Sequence, residues 1–296
     1  MEQKHVNEKA FHLAGVIPVA GQPLDFDLPW HDCLMPIAPD YLAVERAVAE
    51  CAWAGCETIW LVCNDDMKPL IKHRLGDYVQ DPVSVGRTYA NHATEKREIP
   101  IFYVPIHPKD RNKRDCLSWS ILHGALSAYH VSNKISKWVT PDKYYVSFPY
   151  GVYDPQGLRE YRKELSSRRN VFLEYNGFTV KDGHYLGFTF GPEEYKEYVR
   201  TVRSMGTGIK RPGQVGIPTE RLPPSERYSA RFFDLETVFQ TADVHHSKIV
   251  EVSWYHSLDS WDNYCDFISS PQRISVSKPH CLSGGRFNKW VFQDSS

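Results

Sequence analysis

Several groups of polar residues in this chain have the types and spacing that chemistry needs. The first is a short turn, Pro18, Val19, Ala20, Gly21 and Gln22, which closes the apolar run LAGVIPVAG. Backbone N–H groups at a strand end, with a glycine that lets a ligand come close, suit an anion such as phosphate. Asp25, Asp27 and Asp32 follow in a loop rich in Pro and Asp. One of them can contact a ribose or act as a base; the plainer reading is solvated loop carboxylates. Asn64, with Asp65 and Asp66, ends a second apolar run, TIWLVC, at a position where α/β sites gather. Capping of the next helix is the competing role for the two aspartates. Lys109, Arg111, Lys113 and Arg114 form a basic cluster, diluted by Asp110 and Asp115, that can grip a diphosphate or be a solvated turn. Asp154 has the chemistry of a metal ligand or a base. His256 stands near Asp259 and Asp262. A histidine there can take a proton from a hydroxyl or, as imidazolium, steady a departing anion. His245 and His246 have no third ligand at a standard spacing, so no metal site is assigned to them.

The stretch Lys196 to Arg231 carries eight Lys/Arg against three Glu. Within it, GTGIKRPGQVGIP holds Lys210 and Arg211 in a Gly/Pro-rich setting, the composition of a lid over a negatively charged ligand or of a surface loop.

The elements that must position these groups follow from periodicity. Leu13 to Gly21 is a buried strand, and Thr58 to Cys63 another. Between them, YLAVERAVAECAWAG puts Leu42, Val44, Ala47, Val48, Cys51 and Ala52 on one helical stripe, with Gly55 as its stop. Strand, loop, helix and strand make a βαβ unit with parallel strands. MKPLIKHRLGD and CLSWSILHGALSAYHVS read as helices, and IPIFYVPI and KYYVSFP as strands; Asp77 to Glu98 reads as irregular. Beyond Asp154 come a helix GLREYRKEL, strands VFLEYNGFTV and HYLGFTF, and a helix PEEYKEYVRTVRSMG. Ala230 to Thr241 reads as helix, IVEVSWY as strand and LDSWDNYCDFISS as the last core helix. The expected layout is one α/β domain over 1–270, with a nucleotide-binding half (1–154), an acceptor-side half (155–270), and a short irregular tail over 271–296.

The 296 residues suffice for a sizeable core, and 42% hydrophobic with 24% charged residues excludes wholesale disorder. A net charge of -1 excludes a polycation that coats nucleic acid by bulk charge. The seven cysteines show no CxxC pair, several sit in apolar runs, and they are expected to be reduced thiols in a cytoplasmic setting. No apolar run approaches the roughly 18 residues of a membrane span.

In outline the order of elements resembles the sugar-1-phosphate nucleotidyltransferases, whose GT-A-like fold many glycosyltransferases share. VIPVAG is similar to that family's opening strand and loop, CLMPI to its Pro segment, and AGCETIWLVC to its second strand. More weakly, RDCLSWSILHGALSA resembles the helix beside the base, which puts Ser118 among the nucleotide-binding candidates. DGHYLGFTFGPEEYKEYV and SWYHSLDSWDNYCDFI resemble later segments. The resemblance implies a mixed, mostly parallel central sheet flanked by helices, with a nucleotide held by Pro18 to Gln22, Asn64 and Ser118. The chain also departs from the family. Gln22, Pro23 and Leu24 stand where the family has Gly, Thr and Arg around the triphosphate. The family Lys is replaced, at Asp32 or Cys33. One metal-binding Asp should fall in Phe148 to Gly151, where the nearest carboxylate is Asp154, and the second aligns with His256, three residues before Asp259. Such a site suits a nucleotide-sugar better than a nucleoside triphosphate with Mg²⁺.

The expected activity is therefore glycosyl transfer from a nucleotide-sugar to an acceptor hydroxyl. Asp154, His256 and Asp259 are the catalytic candidates; Arg111, Lys113, Arg114, Lys210 and Arg211 are candidates for phosphate or acceptor binding. No cofactor is required on this reading, and Mg or Mn is the divalent candidate should a metal bind. The basic stretch extends the acceptor class to DNA bearing a hydroxymethylated pyrimidine. A nucleotidyltransferase with a divergent loop, or a non-catalytic nucleotide-binding relative, are the alternatives.

Overall fold

The computed structural model of the chain describes residues 11–19, 30–85, 97–108, 116–135, 139–209, 220–221, 223 and 233–282. Its centre is an eight-stranded sheet. In chain order the strands are β1 (Leu13–Pro18), β2 (Thr58–Cys63), β3 (Tyr78–Gln80), β4 (Glu98–Pro105), β5 (Lys143–Val146), β6 (Val171–Glu174), β7 (Phe188–Phe190) and β8 (Lys248–Glu251). Their spatial order is β8-β6-β7-β5-β1-β2-β4-β3. β1 pairs in parallel with both β2 and β5, β2 with β4, and β6 with β8. Only β7 and β3 run against their neighbours. The sheet is thus mixed and mostly parallel, as expected. Its central strands read as unbroken apolar runs because both faces are covered, and every residue of β1 and β2 is buried.

Two helices lie against opposite faces. Helix α1 (Ala43–Ala54) connects β1 to β2, and α3 (Leu117–His130) connects β4 to β5; α2 (Lys68–Leu75) follows β2. Gly15 faces α1, where an added Cβ would lie 2.8 Å from Cys51 Sγ. Gly124 of α3 packs on the other face, where a Cβ would lie 2.7 Å from Val16 Cγ1 and 2.8 Å from Val62 Cγ2. Those methyls belong to β-branched strand residues that turn poorly at χ1. Gly124→Ala should therefore destabilise by about 1–3 kcal/mol despite the better helix propensity of alanine. A urea-unfolding midpoint equal to or above that of the parent would show that α3 can lift off without penalty.

α1 ends at Gly55, whose φ of 87° only glycine adopts easily. Arg162 closes the same end: its Nε donates to Trp53 O (2.9 Å), Nη2 to Ala52 O (2.5 Å), and the guanidinium also pairs with Asp81. A cation at the C-terminal carbonyls meets the negative end of the helix dipole.

Further helices include α4 (Pro192–Thr207), α5 (Leu235–Phe239) and α6 (Trp261–Ser269). Several boundaries differ from expectation. Asp77 to Glu98 is not wholly irregular: β3 forms an edge strand there and Pro82–Val85 a helical turn. β5 stops at Val146, before the expected Pro149, because Ser147 to Tyr150 turn inward and are buried. GLREYRKEL is mostly 3-10 helix, Pro155–Tyr161, with a short α-turn Arg162–Leu165. The segment after Pro271 is not wholly irregular. Gln272–Ser275 is helical, Cys281 and Leu282 are buried, and Lys278 Nζ lies 3.1 Å from Glu45 Oε1.

Among the described residues no helix is long and apolar enough to cross a membrane.

Candidate active site

Consecutive strands β1 and β2 are neighbours, but the connection from β4 returns to the far side of β1 as β5. The strand order thus reverses between β1 and β5, and in open α/β sheets the crevice beyond the strand ends at such a point is where ligands bind. The residues that emerge there are Pro18–Val19 from β1, Asn64 from β2 and Ser147–Tyr150 from β5.

Val19 is fixed on both sides. Its N–H donates to Val62 O (2.9 Å), and its carbonyl accepts from the Tyr150 hydroxyl (3.1 Å). Tyr150 is fully buried, so this bond ties the start of the candidate phosphate turn to the turn after β5. Asn64 is half-buried; its carbonyl accepts from Met67 and Lys68 N–H at the start of α2, while its Oδ1 is buried with no hydrogen-bond partner. Ser118 is fully buried, and its hydroxyl donates to Phe233 O (2.9 Å). That bond ties α3 to the stretch before α5, so the hydroxyl serves packing. Ala20, Gly21 and Gln22 lie outside the described residues, as do Arg111, Lys113, Arg114, Lys210 and Arg211.

Of the expected catalytic residues, His256 is tied to the segment after β5 by its backbone. A two-residue ladder pairs His256 with Val152 and Ser257 with Gly151, and Leu258 N–H donates to Tyr150 O (2.7 Å). His256 is thereby held one ladder step from the segment that carries Asp154. Gly151 also lets the Tyr185 backbone pack close on this segment: a Cβ there would fall 2.1 Å from Tyr185 O. The His256 imidazole is partly covered, against Phe267 (ring centroids 5.4 Å) and Trp254 (6.1 Å). Burial holds its pKa below the ordinary histidine value, outweighing the opposing hydrogen bond with Gln272. At neutral pH the ring is therefore a neutral base, the form that can accept a proton. Asp259 accepts from Asn263 Nδ2 (2.5 Å) at the start of α6, and Asp154 accepts from Gln156 N–H (3.0 Å) as the N-cap of the following 3-10 helix. Tyr264 of α6 donates to Pro36 O (2.8 Å), which anchors α6 to the segment after the first loop. No group of three or more His, Cys, Asp or Glu among the described residues is arranged to hold a metal ion.

One feature escaped the reading of residue types. Under the turn after β5 lies a buried charged network. Glu50 Oε2 meets Arg46 Nη1 (2.8 Å) and Ser147 Oγ (2.7 Å), and Oε1 meets the hydroxyls of Tyr145 and Tyr153 (both 2.5 Å). Arg46 Nη2 donates to Phe148 O (2.5 Å), and the guanidinium stacks on Tyr153 at 4.7 Å. Both charged groups are essentially unexposed. The signal was available: an Arg and a Glu four residues apart in a helix whose one other charged residue is Glu45.

No protein-family model matches the chain, and no curated protein matches it. Solved structures do. A protein assigned as a glucose-1-phosphate thymidylyltransferase of Bacillus anthracis, solved in complex with sucrose, superposes with a TM-score of 0.56. That match has 8% identity and covers 92% of this chain and 99% of the other. An apo UDP-glucose pyrophosphorylase gives 0.52 at 12% identity, over 90% and 100%. Rv0371c of Mycobacterium tuberculosis H37Rv gives 0.50 at 13% identity, over 88% and 100%. The fold is the nucleotidyltransferase-like α/β fold that the order of elements resembled. At such identities the likeness concerns architecture, and the reaction must be argued from the residues.

Proposed function

We propose that the chain transfers a sugar from a nucleotide-sugar donor to an acceptor hydroxyl. The donor lies across the ends of β1, β2 and β5, its diphosphate against Pro18 to Gln22. The unpartnered Asn64 Oδ1 accepts from an N–H or O–H of the nucleoside. Neutral His256 takes the acceptor proton as the acceptor oxygen attacks the anomeric carbon, with Asp154 and Asp259 flanking the same edge. The bond from that carbon to the diphosphate oxygen breaks, and the nucleoside diphosphate leaves with the electron pair. Arg111, Lys113, Arg114, Lys210 and Arg211 are assigned to its charge or to an acceptor phosphate.

The observation that carries this reading is the turn after β5. Where a triphosphate-handling site of this fold would place a metal-binding carboxylate, Phe148 and Tyr150 are packed inward with no exposed surface to speak of. The rival reading, a nucleotidyltransferase, is supported by the solved structures of like fold.

One experiment separates them. The purified chain is screened by thermal shift with nucleoside triphosphates, diphosphates and UDP- and dTDP-sugars, with and without EDTA. Preferential stabilisation by a nucleotide-sugar that survives EDTA, by roughly 3 kcal/mol at a hundred times Kd, is the expected result. Stabilisation by a triphosphate only with Mg²⁺, and pyrophosphate release, would establish the rival. Binding without turnover of any donor would make the chain a non-catalytic relative. For a hydroxymethylated pyrimidine in DNA as acceptor, affinity should fall by about 0.9 log units per contacted phosphate for each tenfold rise in salt.

A further inference from the structure

We infer that Gln272, supplied by the segment after α6, is the positioning residue for His256: its carboxamide oxygen accepts from one ring N–H and leaves the other ring nitrogen bare to take the acceptor proton. The inference rests on the transferase reading, in which His256 is the base. A histidine used as a base must be fixed in its backbone, its ring plane and its tautomer, and a separate group acts on each. The backbone is fixed by the ladder that pairs His256 with Val152. The ring is packed against Phe267 of α6 and against Trp254, with centroids 5.4 and 6.1 Å away. Such apolar contacts do not distinguish the two ring nitrogens. A hydrogen bond to one of them does, and the side chain that makes it is Gln272.

Gln272 is itself held in place. It opens the short helical turn Gln272–Ser275, just after α6 and Pro271. Before it, Tyr264 of α6 donates to Pro36 O (2.8 Å). After it, Lys278 Nζ pairs with Asp40 (3.2 Å) and Glu45 (3.1 Å), and Cys281 and Leu282 are buried. Gln272 lies between these anchors in the chain and is half-buried. The polarity of its bond follows from chemistry. A carboxamide oxygen accepts from an imidazole N–H and favours the imidazolium, whereas an amide N–H donating to a bare ring nitrogen disfavours it. The bond with Gln272 acts in the first sense. Charged residues on the elements around the ring are Asp262 and Asp266 of α6, Arg273 beside Gln272, and Asp154 and Asp259 beyond the ladder. Asp266 also favours the imidazolium, but through its charge, which selects neither nitrogen.

The test uses the full chain. NMR shifts of the ring nitrogens and the pH titration of His256, assigned by their loss in His256→Ala, need no turnover. The parent should show one tautomer above its pKa. Gln272→Ala should show a mixture, with a His256 pKa still further below the ordinary value, because a contribution that favours the imidazolium is gone. Gln272→Glu keeps the accepting oxygen, so it should keep the parent tautomer and move the pKa up. Asp266→Asn should lower the pKa and leave the tautomer as it is. In turnover, Gln272→Ala should lower kcat about tenfold with donor KM unchanged, and Gln272→Glu should restore kcat at pH above its raised acid limb. Parental tautomer and pKa in Gln272→Ala overturn the inference. A pKa that rises in that variant overturns it equally, since the amide nitrogen would then be the donor. If no nucleotide-sugar is turned over, the transferase reading fails, while the ring shifts still decide whether Gln272 holds His256.

Discussion

Glu50→Ala should destabilise the fold by about 3–5 kcal/mol, a large part of the 5–15 kcal/mol of a whole domain. The carboxylate is the shared acceptor of Arg46, Ser147, Tyr145 and Tyr153. Removing it leaves a guanidinium buried without its counter-charge and three hydroxyls without their acceptor. Breaking a buried pair from one side is what makes the loss large; the intact pair contributes little net stability over an apolar substitute. Glu50→Met combined with Arg46→Met should therefore recover part of the loss, and only part, because the tyrosine hydroxyls stay unsatisfied. Urea unfolding of the parent, both single variants and the double variant measures the coupling. A loss below about 1 kcal/mol in Glu50→Ala would mean that water replaces the carboxylate and that the network is not closed. The network also holds Ser147 and Tyr153 at the two ends of the turn after β5. A loosened Glu50 variant that still folds should for that reason lose alignment of the His256 ladder.

His256→Ala should lower turnover by about 10²–10⁴-fold, the usual worth of a positioned base, while donor affinity and unfolding temperature stay near those of the parent. The pH profile carries the sharper signature. Burial lowers the His256 pKa, so the neutral form persists to more acidic pH than for an ordinary histidine. If the neutral ring is the base, activity is full above that lowered pKa and falls as pH drops through it. The acid limb should then lie below about 6.5, the usual histidine value, and disappear in the residual activity of His256→Ala. An acid limb unchanged in the variant would assign it to another group, Asp154 or Asp259. Turnover that rises as pH falls would give His256 the opposite role, as an imidazolium on the leaving diphosphate.

The first half of the chain was legible because its signals are local. TIWLVC is bounded by turn residues and forms β2 over the residues expected, and Gly55 ends α1 as its position demanded. The strand of VFLEYNGFTV was too long in the reading. Asn176 and Gly177 turn at positive φ inside it, and the apolar residues beyond the turn pack as loop and 3-10 helix. β3 was missed because Tyr78–Gln80 is three residues at a sheet edge, stabilised by pairing with β4 rather than by its own composition. The site was legible to the extent that it lies at strand ends. What joins its parts was not: the Tyr150–Val19 bond spans 131 positions and the Tyr264–Pro36 bond 228, distances over which no periodicity speaks.

The arrangement of strands also bears on how this protein avoids sticking to itself. Its most β-prone, charge-free stretches, LAGVIP and TIWLVC, occupy the middle of the sheet, where both edges are paired. The outermost strands are short, three residues at one side and four at the other, and the latter, KIVE, has a charge at each end. A brief border, charged on one side, is a poor template for a second chain. The hazard moves to the interval before folding is complete. β1 must wait for β5, some 130 positions later, and until then its apolar face has only local cover.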